Sequence, residues 1–170
     1  MTASRTDSKR WIAPGFALVA LTGLALIADH RPAPVLINES ASLPRGVYVR
    51  LPRAAPARDT VVAVPQPSAV RAYLGELGMP GDLLLIKRVA AVGGDTVCRR
   101  DDRLVTPVRA VVVQDRDRRG VALPTWRGCR RLNEEELFLL GDTPSSFDSR
   151  YFGPVARSRV TGVYREILTW

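Results

Sequence analysis

Apolar positions along this chain form one long uninterrupted run followed by many short ones. Between residues 11 and 28 no charged side chain occurs. Eighteen such residues in a helix rise about 27 Å, close to the roughly 30 Å hydrocarbon core of a bilayer. The run shows no polar face at a helical period, which separates it from a buried soluble helix. Beyond it the apolar stretches are short and punctuated by Pro, Gly and Asp. They predict strands at 47–51, 60–64, 83–92, 108–113, 137–140 and 160–167. One brief helix is predicted over 69–77, stopped by Gly78 and Pro80. Pro32 and Pro34 keep the connector 29–38 extended. The expected fold class is mainly β, with one N-terminal transmembrane helix.

Arg5, Lys9 and Arg10 outweigh Asp7 ahead of the apolar run. The expected arrangement is a cytoplasmic tail at 1–10, an anchor at 11–28 and an outer domain at 29–170. A cleaved signal peptide is the alternative, with Ala28 as its last small residue, but Leu26 fits the small-x-small pattern poorly. The formal charge of +8 suits an anionic membrane surface. No basic run is interleaved with aromatics, so no nucleic-acid partner is expected. Residues 97–130 read as an insertion bracketed by Cys98 and Cys129. Outside the cytoplasm that pair would form a disulfide worth roughly 3–4 kcal/mol in the chain-entropy model. The alternative is two buried thiols. Two cysteines at this spacing match no common zinc motif, and Gly93-Gly94 makes no phosphate loop. Neither a metal nor a cofactor is expected.

Candidate chemistry begins at Asn38-Glu39-Ser40-Ala41-Ser42-Leu43-Pro44-Arg45-Gly46-Val47-Tyr48. Pro44 holds Leu43 extended, and Gly46 permits a turn, so Ser42 is presented at a rigid corner. The chain has a single histidine, His30, on the Pro-containing connector, where it makes a poor general base and argues against a Ser-His-Asp triad. The remaining base for a serine is a desolvated lysine. Apart from Lys9 in the tail, Lys87 is the chain's one lysine, and it lies within the apolar strand 83–92. Taken alone, that position also suits an edge-strand gatekeeper or a snorkelling side chain. Lowering a lysine from about 10.4 to 7–8 costs on the order of 4 kcal/mol, which burial in such a strand supplies. Residues 141–153 read as too polar for a core and too distinctive for a linker.

Three motifs in order carry a resemblance. They are Ser42-Leu43-Pro44-Arg45-Gly46-Val47-Tyr48, Lys87-Arg88 followed by Gly94-Asp95, and Gly141-Asp142 leading to Ser146-Phe147-Asp148-Ser149-Arg150-Tyr151-Phe152-Gly153. Behind one anchor they resemble the bacterial type I signal peptidase family, peptidase family S26, and within it the conjugative-transfer, TraF-type branch. The resemblance implies the LexA/signal-peptidase β-fold and a serine endopeptidase with Ser42 as nucleophile and Lys87 as general base. It also implies an oxyanion hole from the Ser42 backbone N–H and the Ser40 hydroxyl. Ser146 would orient the lysine amine, and Asp148 would pair with Arg150, acting either structurally or in catalysis. Pro144 stands where housekeeping members usually carry arginine, and the segment is one residue shorter than theirs.

The expectation is an inner-membrane, single-pass peptidase with its catalytic domain in the periplasm. It would cleave exported precursors, a conjugative pilin precursor above all, bound as an extended strand. Hydrolysis and cyclisation both stay open. The alternatives are a housekeeping preprotein peptidase, a non-enzymatic membrane-anchored transfer component and a DNA-contacting transfer protein.

Overall fold

The structure, a computed structural model, describes residues 32–170. The expected tail, the expected anchor at 11–28 and His30 lie outside the described residues. Among the described residues no helix is long and apolar enough to cross a membrane.

Eleven strands, two short α-helices and one 3-10 turn at Arg157–Arg159 make up the described chain. The first half holds β1 (Val35–Asn38), β2 (Gly46–Arg50), β3 (Val61–Val64), helix α1 (Ser68–Glu76) and β4 (Leu85–Ala91). Then follow β5 (Thr96–Arg100), β6 (Arg103–Val105), β7 (Ala110–Val112) and β8 (Gly128–Arg131). The chain closes with β9 (Glu136–Leu140), α2 (Ser149–Phe152), β10 (Val155–Ala156) and β11 (Gly162–Thr169). The apolar runs thus become strands as expected, and the brief helix forms within one residue of its predicted bounds. The fold is mainly β.

Seven strands form one antiparallel sheet in the order β1-β2-β11-β3-β4-β9-β10. The last strand of the chain therefore lies between β2 and β3. All four residues of β3 are buried, as are all of β4 except the half-buried Arg88. Central strands covered on both faces read as continuous apolar runs, which is the pattern that flagged them. Leu43, beside Ser42, is buried with Tyr48, Ile86 and Tyr164, and so pins the loop between β1 and β2 to the sheet.

Residues 96–131 carry a second antiparallel sheet, ordered β7-β6-β5-β8. Its apolar side packs Val97, Leu104 and Val113 against Phe138, Leu140 and Tyr151 of the main body. Cys98 and Cys129 stand opposite each other on β5 and β8 and form a disulfide. The strands here are three to five residues long and rich in arginine, so periodicity marked only one of them.

Gly46 serves a purpose beyond a turn. A Cβ there would lie 1.9 Å from the carbonyl oxygen of Leu168 on β11. Only glycine lets the final strand run this close to the base of the serine loop.

Candidate active site

Residues 39–45 connect β1 to β2 and present Ser42 beside the centre of β4. Lys87 on β4 donates from Nζ to Ser42 Oγ at 2.8 Å. Both side chains are buried, with Lys87 5% and Ser42 9% exposed. β4 is a central strand, hydrogen-bonded to β3 and β9. Lys87 is therefore neither an edge gatekeeper nor a snorkelling side chain. Burial pushes its ammonium down to about 8, against the upward pull of Asp148 and Asp142 and with a further push from Arg150.

Ser40 Oγ lies 2.9 Å from Ser42 Oγ and donates to Asn38 Oδ1 at 2.8 Å. The segment after β9 reaches the same place. The Asp142 backbone N–H donates to the Ser42 carbonyl at 2.6 Å. Gly141 fits so tightly that a Cβ would meet Ser146 Oγ at 2.1 Å and the Ser42 carbonyl oxygen at 2.8 Å.

The second half of 141–153 is largely buried, although the segment reads as too polar for a core. Ser146, Asp148, Ser149, Arg150 and Tyr151 are all buried. The polar groups of Asp148, Ser149 and Arg150 are satisfied by one another and by neighbouring backbone, which removes the desolvation penalty that polarity would otherwise impose. Asp148 accepts from Arg150 Nε and Nη2, both at 2.9 Å, from Gly141 N at 2.8 Å and from Arg150 N at 3.1 Å. Arg150 in turn donates to the carbonyls of Gly141, Thr143 and Pro144. Pro144, where an arginine was the usual residue, contributes its carbonyl to this ring of acceptors.

Ser146 departs from what the resemblance implied. Its Oγ is buried without a hydrogen-bond partner, and Lys87 spends its contact on Ser42. The hydroxyl still lines the cavity beside Ser42. That cavity measures about 630 Å³ and is walled by apolar side chains including Ile37, Met79, Leu84, Ile86 and Phe147.

Asp142, Arg88 and Asn38 stand in the stretches singled out from the sequence without an assigned role, and Arg109 stands in none, yet all four meet at the site. Asp142 is held between Arg88 and Arg109, the latter reaching across from the turn between β6 and β7. Burial raises the Asp142 carboxyl, but the two guanidiniums outweigh it and keep the group below the usual carboxylate range. Asn38 closes the base of the serine loop. The Ser40 N–H donates to its Oδ1, and a short polar side chain bonded two residues onward is a turn signal that Asn-x-Ser carries. Among the described residues no group of three or more His, Cys, Asp or Glu side chains is placed to hold a metal.

A buried serine hydroxyl that accepts from a lysine whose pKa burial lowers, beside an apolar cavity, can supply a nucleophile and a base. The chain matches the family described as signal peptidase, peptidase S26, over residues 8–170, and it belongs to that family of serine peptidases. Within it, the chain is similar to proteins of plasmid transfer. It is 30% identical over 173 residues to the plasmid transfer protein TraF of Escherichia coli, covering 94% of this chain and 96% of the relative. The conjugal transfer protein TraF of Agrobacterium fabrum is 33% identical over 168 residues, covering 92% of each chain. A signal peptidase I from Enterococcus faecalis superposes with a TM-score of 0.40 at 27% identity, covering 65% of this chain and 97% of that one.

Proposed function

We propose that this protein is a membrane-anchored serine endopeptidase that trims exported precursors, a conjugative pilin precursor first among them. The observation that carries the reading is the 2.8 Å contact between Lys87 Nζ and Ser42 Oγ inside a buried, apolar setting. Neutral Lys87 takes the proton of Ser42 as the hydroxyl oxygen attacks the scissile carbonyl. The Ser42 N–H and the Ser40 hydroxyl donate to the resulting oxyanion. Lys87 then returns the proton to the leaving amine, and water or an amine of the substrate releases the acyl group. Conjugal and plasmid transfer, named for the relatives, support a pilin substrate. The disulfide supports a periplasmic catalytic domain, and the apolar run at 11–28 supports an inner-membrane anchor with the N-terminus in the cytoplasm.

The substrate adds as a strand. β1 is an edge strand running straight into the serine loop, with Val35 and Ile37 exposed. β9 pairs with β4 only from Arg88 onward, leaving the outer edge of Leu85–Lys87 open toward the cavity. An extended peptide between these two edges would satisfy their backbone groups.

The test is the intact mass of a candidate pilin precursor co-expressed with wild type or with Ser42→Ala. Maturation lost with the variant alone is the expected result. A product one water lighter than the linear chain would assign cyclisation. Equal processing by both proteins would remove Ser42 from the mechanism. Gly141→Ala is expected to lower kcat/KM by about 100-fold or more, since displacements near 1 Å at a reacting group have that effect. Steady-state kinetics on a precursor peptide checks it, and unchanged kinetics would show that the serine loop tolerates the shift.

A further inference from the structure

We propose that Asn38 is the positioning residue for the Ser40 hydroxyl, which rests on the reading of Ser42 and Lys87 as the reacting pair. Asn38 is the last residue of β1 and pairs with Gly46 at the start of β2. It therefore sits at the mouth of the loop 39–45, where it is 4% exposed. Its amide is fully engaged. Nδ2 donates to the carbonyls of Ser40 and Leu43 at 3.1 Å and of Pro44 at 3.0 Å. Oδ1 accepts from Ser40 N at 3.2 Å and Ser40 Oγ at 2.8 Å. Every one of these partners lies in the loop that carries Ser42, and none lies elsewhere in the fold.

The directions of the hydrogen bonds give this cluster a consequence for the chemistry. An ammonium only donates and an amide oxygen only accepts. With Lys87 charged, the chain runs from Lys87 to Ser42, from Ser42 to Ser40 and from Ser40 to Asn38. Asn38 Oδ1 thus holds the Ser40 proton in reserve and keeps Ser40 Oγ 2.9 Å from the nucleophile. When the oxyanion forms, the Ser40 hydroxyl turns toward it, while the Ser40 N–H stays on Oδ1 and the oxygen keeps its place. A donor fixed before the charge develops needs only a hydroxyl rotation. Aspartate would set a carboxylate oxygen against three carbonyls, and alanine would release both ends of the clamp.

Two measurements test this together. The first compares kcat and KM of wild type, Asn38→Ala, Ser40→Ala and their double variant on a precursor peptide. Loss of an oxyanion donor lowers kcat by about 10²–10³-fold, the range expected for Ser40→Ala. Asn38→Ala is expected to lower kcat by about 100-fold with KM within about threefold. In the Ser40→Ala background the same change should cost no more than about threefold further, because residues acting through one another are not additive. Additive losses, or a loss carried by KM, would overturn the proposal. The second reads amide hydrogen exchange in Asn38→Ala and Asn38→Asp. Faster exchange confined to residues 39–46 is expected. Unchanged exchange there, or global unfolding of both variants, would overturn the local clamp. Should wild type and Ser42→Ala turn over the peptide equally, the peptidase reading falls, while the exchange data still decide the clamp.

Discussion

Lys87→Met is expected to abolish peptide cleavage and, in the same protein, to raise the melting temperature. Lys87 is 5% exposed on a central strand, and burial holds its ammonium down at about 8 in place of 10.5. Each pH unit of displacement is about 1.4 kcal/mol, so below pH 8 the folded state carries a penalty of about 3 kcal/mol. The sign follows from proton counts. Between about pH 8 and 10.5 the unfolded lysine binds more protons than the folded one, so stability from this group rises with pH across that window. Below the window the penalty is constant; above it both states are neutral and the penalty is gone. Methionine removes the charge but also the hydrogen bond to Ser42, which offsets about 1 kcal/mol. A net gain of about 2 kcal/mol at pH 7 corresponds to roughly 4–8 °C in Tm. Thermal unfolding at pH 7 and pH 10.5 checks both claims, the gain vanishing at the higher pH. For the wild type, kcat/KM should rise about tenfold per pH unit to a plateau above about pH 8. A less stable variant would show that Lys87 is not strained by burial, and one that still cleaves would show that it is not the base.

Asp148→Asn is expected to destabilise the fold by about 3–5 kcal/mol, the usual result of removing one partner from a buried ion pair. Asp148 is 0% and Arg150 1% exposed. All four contacts to the carboxylate come from donors, so the amide nitrogen of asparagine would find no acceptor. The damage reaches the site because Gly141 and Asp142 hang from this pair and hold the Ser42 carbonyl. Asp148 also pulls the Lys87 ammonium upward, so its loss should move the rising limb of the pH profile to lower pH. Denaturant unfolding and a pH–rate profile of the variant separate the two effects. Full stability with lost activity would assign Asp148 a direct part in proton transfer.

Much of the site was legible because its chemistry is scarce in this chain. With one lysine beyond the tail and one histidine on the connector, elimination leaves Lys87 as the base available to a serine, and the family resemblance then singles out Ser42 as its partner. The β4 strand was equally plain, since burial on both faces leaves an unbroken apolar run. Residues 141–153 were misread as too polar for a core. Polarity predicts exposure only when partners are lacking, and here Asp148, Arg150 and the neighbouring backbone supply them. Ser146 was expected on the lysine and is instead unpartnered, a matter of ångströms that a motif does not encode. The insertion's short strands escaped because Arg99 takes a buried position in β5 and β8 is exposed throughout, so neither shows an apolar alternation.

The sequence by itself determined the candidate reactive groups, the strand-rich class and the family, because residue type, hydrophobic period and motif order are properties of neighbours along the chain. Tertiary structure alone decided that β11 runs between β2 and β3, close enough to require Gly46 and to bring Glu166 to Tyr48 across 118 residues. It decided too that Lys87 lies 2.8 Å from Ser42, that Asp142 holds the serine carbonyl and that Asn38 gathers the loop. Those facts depend on register and packing between distant segments, where a shift of one residue turns a side chain to the other face of a sheet. Local propensity carries no memory of such distances.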